Sequence, residues 1–261
     1  MDPSQDPADG AALRSTGPTH GDAFGMLLME CWEARAAPGR VLEFVERDDG
    51  YLTAGDAARY FAEPAAWSTL DHWACTQVRG RVLDIGSGAG RHTLYLQEAG
   101  YEVEALDVSP LAAEVCRRRG VRQIVVGSVA ELVARGTAPF DSFLLLGNNL
   151  GLLADAQQAR SVLATLTRMA TPNAVIIGQG LDPYQTDNPL HHNYHRRNRM
   201  RGRMPGQIRM RVRHNNIATD WFDYLFMSIT ELQDLVANTA WRFECCETDG
   251  AQYVAVLRRT G

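Results

Sequence analysis

The stretch Val82-Leu83-Asp84-Ile85-Gly86-Ser87-Gly88-Ala89-Gly90 runs from a short apolar strand into a turn with glycine at every second position. Glycines there permit a tight turn and let a ligand approach the backbone at the N-terminus of the next helix. The following run, Tyr101 to Leu106, alternates as a second strand and ends at Asp107. An acid in that position can accept hydrogen bonds from two ribose hydroxyls. Both features belong to nucleoside-cofactor sites in general.

Working outward, Arg91 to Ala99 reads as a helix closed by Gly100, and Pro110 to Arg119 as a helix with proline in its first turn and Gly120 after its end. Val121 to Val126, Phe140 to Leu146 and Ala174 to Gly178 read as further strands, and Asp155 to Ala170 as a helix. Apolar strands alternating with helices at this spacing predict an α/β fold, with a parallel sheet covered on both faces. Beyond Gly180 the alternation stops. Ile208 to Val212 and Trp221 to Phe226, joined around Asn215-Asn216, suggest an added antiparallel pair. Thr230 to Asn238 suggests a helix, and Trp241 to Cys246 with Tyr253 to Leu257 a closing hairpin around Asp249-Gly250. Ahead of the core, Gly21 to Gln77 reads as helical and rich in aromatics, with breaks at Pro38-Gly39 and near Gly50.

Details of the turn separate the cofactor candidates. A dinucleotide fingerprint spaces its glycines Gly-x-Gly-x-x-Gly, whereas here Gly90 comes one position early and Arg91 takes the sixth place. Asp84 inside the strand would repel a diphosphate but suits a cationic amino acid group. With this spacing and Asp84, the chain resembles the class I S-adenosylmethionine-dependent methyltransferases, well over Gly80 to Gly180 and loosely over the closing hairpin. The resemblance implies a Rossmann-like seven-stranded fold, five parallel strands plus the terminal hairpin, with a helical N-terminal lid and an inserted antiparallel β-pair. It implies S-adenosyl-L-methionine as cofactor. Asp84 would orient its methionine end above the loop of Gly86, Ser87, Gly88 and Gly90. Asp107 would hold the ribose and Val108 flank the adenine. Relatives often place an acid or amide after the third strand, where this chain has Gly127-Ser128-Val129, so Ser128, Val129 or their backbone would serve the adenine. Tyr60 could touch the methionine carboxylate.

Gly147, Asn148 and Asn149 follow the fourth strand. At the topological switch point the carboxyl ends of the first and fourth strands face one crevice, so this loop should border both sulfonium and acceptor. For the acceptor, Asp182, Tyr184, His191, His192, Tyr194 and His195 follow the fifth strand on the cofactor side. His191, His192, His195 and Tyr184 are candidate general bases; a solvated polar loop is the plain alternative. Trp67 is a candidate acceptor contact or simply a packing aromatic. Between His191 and Thr219 stand eight arginines and no acid. Arg197 among them is a candidate contact to an anionic group. The whole Arg196–Arg213 stretch could instead follow a nucleic-acid backbone, or pair with acids of the protein itself.

Composition trims the field. A net charge of −5 gives no overall pull toward nucleic acid or anionic membrane, and no apolar run approaches the length of a spanning helix. All 26 basic residues are arginine, which excludes any lysine-dependent chemistry. Five cysteines without zinc-type spacing suggest reduced thiols and no metal site. The expected organisation is a disordered arm (1–20), a helical lid (21–78), the cofactor-binding core (79–180), an acceptor-binding insert (181–228) and a closing helix and hairpin (229–261). The reading is a cytoplasmic enzyme that methylates a small molecule, an aromatic or nitrogen-containing metabolite such as an indole, phenol or amine, in bacterial specialised metabolism. An RNA methyltransferase using the arginine stretch is the competing reading, and a non-catalytic cofactor-binding protein a third. Oligomeric state is open, a homodimer included.

Overall fold

The segment ahead of the glycine turn is not purely helical. In the computed structural model, which describes residues 18–260, β1 (Thr19–His20) leads into α1 (Ala23–Glu33), capped by the Asp22 carboxylate on the Gly25 N–H. The arm expected over 1–20 lies outside the described residues as far as residue 17. An antiparallel hairpin follows, β2 (Leu42–Arg47) and β3 (Leu52–Asp56), where the sequence reading had a helical lid. The reason is local: Phe44 and Val45 favour a pleated strand, and the Asp49-Gly50 turn, with Gly50 at φ +87°, reverses it. Two short 3-10 turns (Ala57–Phe61, Pro64–Ala66) then lead to α2 (Thr69–Thr76), which opens with a Ser68–Asp71 capping box.

The core alternates as the sequence requires: β4 (Val82–Ile85), α3 (Arg91–Glu98), β5 (Val103–Asp107), α4 (Pro110–Arg119), β6 (Ile124–Val126), α5 (Val129–Arg135), β7 (Phe140–Leu145), α6 (Ala156–Arg168) and β8 (Ala170–Leu181). Every residue of β4 and β5 is buried, as parallel strands covered on both faces should be.

The insert differs from its expectation in one element. Where the sequence reading assigned no helix and kept a solvated polar loop as the alternative to a site, α7 (Pro189–Met200) forms, because the Asn188 side chain caps the Leu190 N–H and Pro189 sits in the first turn. Next come β9 (Gln207–His214), β10 (Ile217–Ala218), β11 (Phe222–Leu225), α8 (Ile229–Val236), β12 (Trp241–Asp249) and β13 (Gln252–Arg259). The main sheet has seven strands in the order β12-β13-β8-β7-β4-β5-β6, with β13 antiparallel to β8. This is the five-plus-hairpin arrangement expected.

The second sheet was not foreseen. β9 pairs with β11 and also with β2, so hairpin and insert share one six-stranded sheet. Cross-strand partners share a face, and side chains alternate along a strand. Glu43, Val45 and Arg47 therefore lie on the same face as Met210, Val212, Phe222 and Tyr224, while Glu46, Arg211 and Arg213 take the other.

Trp241 anchors the closing hairpin. It is fully buried, edge-on to Phe143 at 6.0 Å, and its indole N–H reaches the Leu163 carbonyl at 3.1 Å and Thr167 Oγ1 at 3.0 Å. Trp241→Ala is expected to cost about 3–5 kcal/mol, by loss of burial and the cavity left behind. Urea denaturation measures this, and a loss below ~1 kcal/mol would show that the hairpin does not depend on it.

Candidate functional site

Gly86 and Gly88 hold the turn after β4 at φ +70° and +56°, the left-handed region. A Cβ at Gly86 would also lie 2.6 Å from Asn149 Nδ2, so glycine is required twice over there. Beneath the turn, Asp84 is buried and accepts a 2.6 Å hydrogen bond from Thr93 Oγ1 in the first turn of α3. Burial pushes its pKa up, against the pull of nearby His92 and Arg91. Those two residues bind Asp71, at 2.9 and 2.8 Å, which locks α2 onto α3.

Asp107 accepts the Gly88 N–H on one oxygen and the Ser109 N–H on the other, both at 2.9 Å. It is only 6% exposed, and burial raises its pKa to about 6 despite the two N–H groups; Asp22 adds to the rise. Asp22 receives the Ser109 hydroxyl at 2.7 Å, so the N-terminus of α1 is seated directly beside Asp107. Val108, next in sequence, is 73% exposed, an apolar face beside the carboxylate. Ser128 is spent on the helix cap of α5, exchanging hydrogen bonds with Glu131, and Val129 opens that helix.

The loop after β7 is tied to the glycine turn. Asn149 Nδ2 donates to the carbonyls of Ile85 at 3.0 Å and Gly86 at 2.9 Å, while the Gly147 N–H donates to Gln179 Oε1 at 2.7 Å. Asn148 sits at φ +68°, and its carbonyl accepts the Tyr224 hydroxyl at 2.6 Å. Its side-chain oxygen is buried with no hydrogen-bond donor among the described residues. An unsatisfied buried acceptor costs on the order of 1–3 kcal/mol.

Above these loops lies the inner face of the second sheet. Tyr60 comes within 4.0 Å of where a Gly88 Cβ would be, with Phe24 edge-on to it at 5.3 Å. The Tyr60 hydroxyl donates to Glu43 Oε1 at 2.9 Å and accepts from Arg59 at 3.1 Å, and Arg59 also pairs with Glu43. Glu43 is 4% exposed. Burial raises the pKa of both Tyr60 and Tyr224, with Glu43 adding to each.

The histidines occupy the other end of this roof. His191 bonds Thr186 and stands edge-on to Tyr51 at 5.1 Å, while His195 lies edge-on to Tyr184 at 6.1 Å and to His192 at 6.4 Å. Burial lowers the pKa of His191 and of His195, with Arg47 and Arg199 respectively the next causes, so both are neutral at neutral pH. Arg47 lies four residues past Glu43 on β2, about 13 Å along the strand. No hydrogen bond of the three histidines reaches the glycine turn or the loop after β7, among the described residues. The Tyr184 hydroxyl donates to Glu231 at 2.6 Å, and burial and that bond push its pKa to about 12. Asp182 caps the Tyr184 N–H, and Tyr194 donates to Asp48 at 2.7 Å under the Arg47 guanidinium.

Trp67 is a core residue, its indole N–H on the Ala62 carbonyl and its ring against His92 and Tyr95. Within the arginine stretch, Arg197 pairs with Asp49, Arg203 with Asp223, and Arg211 and Arg213 with Glu46. Pairing within the protein therefore accounts for these four. The sequence reading missed Glu43, Arg59, Phe24 and Tyr224. The pairing of β9 with both β2 and β11 puts Glu43 and Tyr224 on one face of a sheet, and no local pattern announces it.

Comparison with known proteins follows the same geometry. Residues 82–173 match the family model described as a methyltransferase domain. A methyltransferase from Bacteroides fragilis solved with S-adenosyl-L-homocysteine is similar over 94% of this chain and 97% of its own, at 24% identity and a TM-score of 0.78. The CcbJ methyltransferase of Streptomyces caelestis is similar over 93% and 100%, at 13% identity and 0.61. A Burkholderia thailandensis N1-methyltransferase, solved with 1,6-didemethyltoxoflavin and S-adenosylhomocysteine, is similar over 74% and 79%, at 22% and 0.50. No protein of curated function matches the chain. No helix among the described residues is long and apolar enough to cross a membrane.

The raised pKa of Asp107 has a consequence for the ligand-free protein. A carboxyl easier to ionise unfolded than folded contributes stability at low pH that is lost as pH rises through its folded value. Stability should therefore fall between about pH 4 and about pH 6 by a component that Asp107→Asn abolishes. Urea midpoints across that window test it; identical pH profiles for wild type and variant would refute the assignment.

Proposed function

From a chain whose residues 82–173 are a methyltransferase domain, in the class I, S-adenosylmethionine-dependent fold, we propose an enzyme that methylates a small molecule, an aromatic or nitrogen-containing metabolite of bacterial specialised metabolism. The observation that carries it is the roof. The sheet built from hairpin and insert carries buried Glu43 and Tyr224, and Glu43 holds the partly buried Tyr60 over the glycine turn while Tyr224 holds the loop after β7. A crevice covered by a sheet of the same chain suits a compact acceptor better than a polymer. The Burkholderia enzyme, which was solved with a small heterocycle, is a parallel in the same fold. The nucleic-acid reading draws less support, because Arg197, Arg203, Arg211 and Arg213 are engaged by carboxylates.

The residues present fit S-adenosylmethionine. Asp107 keeps lone pairs free beside its two N–H bonds and would accept the ribose hydroxyls. Exposed Val108 would flank the adenine, with Ser128 and Val129 near its edge. Asp84 would orient the methionine end through the turn of Gly86, Ser87, Gly88 and Gly90, and Gly147, Asn148 and Asn149 would border the sulfonium. Tyr60 lies against Gly88, where it could reach the methionine carboxylate. When bound, the cofactor supplies an already activated methyl group. The protein's work is then to align acceptor and methyl in line, to exclude water with Phe24, Tyr60 and Tyr224, and to manage one proton. His191 and His195, neutral and at the far end of the roof, would line the outer part of the acceptor chamber together with Asp182, Tyr184, Tyr194 and Arg197.

Incubation with methyl-labelled S-adenosylmethionine and an extract split into small-molecule, RNA and protein fractions tests the proposal. Label is expected among the small molecules; label in RNA would overturn the acceptor class, and label in no fraction the activity. Asp107→Ala is expected to weaken S-adenosylhomocysteine binding about 100-fold by calorimetry, which corresponds to the loss of two hydrogen bonds to a charged group.

A further inference from the structure

Of the eight arginines between His191 and Thr219, Arg197, Arg203, Arg211 and Arg213 are met by carboxylates, while the exposed Arg199 has no acidic partner among the described residues. Its guanidinium stands 5.8 Å from the centre of the Tyr184 ring. His195, one helical turn earlier on α7, lies edge-on to the same ring at 6.1 Å. Residues four apart on a helix are neighbours on one face, so the two flank Tyr184 together. His192, three residues further back on that face, is edge-on to His195 at 6.4 Å. His195 itself is only 6% exposed, yet neither ring nitrogen has a hydrogen-bond partner among the described residues. Nor is either nitrogen sealed in, since the enclosed and unmet side-chain polar atoms of the described residues are Asn148 Oδ1 and Arg259 Nε. The little surface that His195 keeps therefore includes its nitrogens, beside an unpaired cation. A buried polar group normally finds a partner, as His191 on the same helix does in Thr186 at 3.1 Å. Burial, and then the charges of Arg199, His191, His192 and Arg47, keep His195 neutral, with one ring nitrogen a donor. The nearby acids are already met: Glu231 takes the Tyr184 hydroxyl at 2.6 Å and the Ser228 N–H at 2.9 Å, and Asp182 takes the Tyr184 N–H at 2.9 Å.

We propose that His195 and Arg199 form an anion subsite, which takes a carboxylate or phosphate group carried by the acceptor. This rests on the methyltransferase reading above and narrows its acceptor to a molecule with an anionic end. The guanidinium offers paired N–H donors that match two oxygens of a carboxylate or phosphate, and the imidazole N–H adds a third donor. A neutral acceptor end would leave Arg199 to water and the His195 nitrogens unmet. The contact that the sequence assigned to Arg197 falls instead to Arg199, because Arg197 is held by Asp49 at 2.9 Å. Helix α7 meets the roof at the hairpin tip, through His191 on Tyr51 and Tyr194 on Asp48. That tip lies beyond Arg47, and so at least about 13 Å along the strand from Glu43, the residue that holds Tyr60 over the glycine turn. The subsite thus grips the end of the acceptor away from the sulfonium and sets its direction in the crevice. Neither side chain takes part in the transfer itself.

Calorimetry on enzyme loaded with S-adenosylhomocysteine tests this with phenyl phosphate, benzoate and benzyl alcohol as probes of similar size, and with inorganic phosphate. Phenyl phosphate or benzoate is expected to bind at least about tenfold tighter than benzyl alcohol. Arg199→Gln, a change on an exposed side chain, should reduce that preference to about threefold or less. His195→Phe keeps a ring and removes both nitrogens, and should reduce the preference in part. Arg201→Gln, two positions on and also exposed, controls for general surface charge and should leave the preference intact. Equal binding of anionic and neutral probes, an unchanged preference in Arg199→Gln or in His195→Phe, or an equal loss in Arg199→Gln and Arg201→Gln would overturn the proposal. So would inorganic phosphate binding as tightly as phenyl phosphate, which would make this a site for a free anion and not for an acceptor. Should His195→Phe fail to fold, Arg199→Gln decides alone. Binding of S-adenosylhomocysteine, measured on the same samples, separates the two levels. If it persists without any preference among the probes, the subsite is refuted and the methyltransferase reading stands; if it is lacking in the wild type, the broader reading falls.

Discussion

The Asp107 carboxylate joins three parts of the molecule that the sequence keeps apart. One oxygen fixes the glycine turn through the Gly88 N–H, and the other fixes the start of α4 through the Ser109 N–H. The Ser109 hydroxyl passes the connection on to Asp22 and so to α1. A buried acid is costly unless its lone pairs are met, and here the groups that meet them are the groups a nucleoside site needs in register. Folding of the turn, placement of the helix and seating of the lid are coupled through one side chain.

Asn149 does the same for the second loop. Its amide nitrogen holds the carbonyls of Ile85 and Gly86, so the ends of β4 and β7 keep a fixed separation across the switch point. Its neighbour Asn148 is left with its backbone strained toward the left-handed region and its side-chain oxygen unmet. Among the described residues, the other buried side-chain polar atom without a partner is Arg259 Nε. Local strain and an unmet acceptor at the same residue, at the mouth of the crevice, mark a position shaped by something other than stability.

Much of this was legible before any coordinates. The alternation of apolar runs and helices around Val82–Gly90 specified the parallel core, because strands buried on both faces leave a strong, local signature. Pro110 and Gly120 bounded α4 to the residue. The lid was harder. The 42–56 hairpin is short, and its signal, Phe44-Val45 before Asp49-Gly50, is easily lost within an aromatic, interrupted segment. The 189–200 helix was hidden by its polarity: its buried residues are Tyr194, His195 and Asn198, which carry no apolar periodicity. Glu43 was invisible for a different reason. Its importance depends on β2 lying beside β9, a pairing such as Phe44 with Arg213 between residues far apart in the chain, and no local pattern encodes it.

That pairing also binds the two halves of the roof to each other. The hairpin near the N-terminus and the strands after β8 share backbone hydrogen bonds, with Val45 opposite Val212 and Arg47 opposite Met210, and Glu46 bridges to Arg211 and Arg213 on the outer face. Neither segment can swing alone without breaking this ladder. A displacement of either segment would therefore carry its paired strands with it. A substitution on either strand bears on the cover that both segments build together.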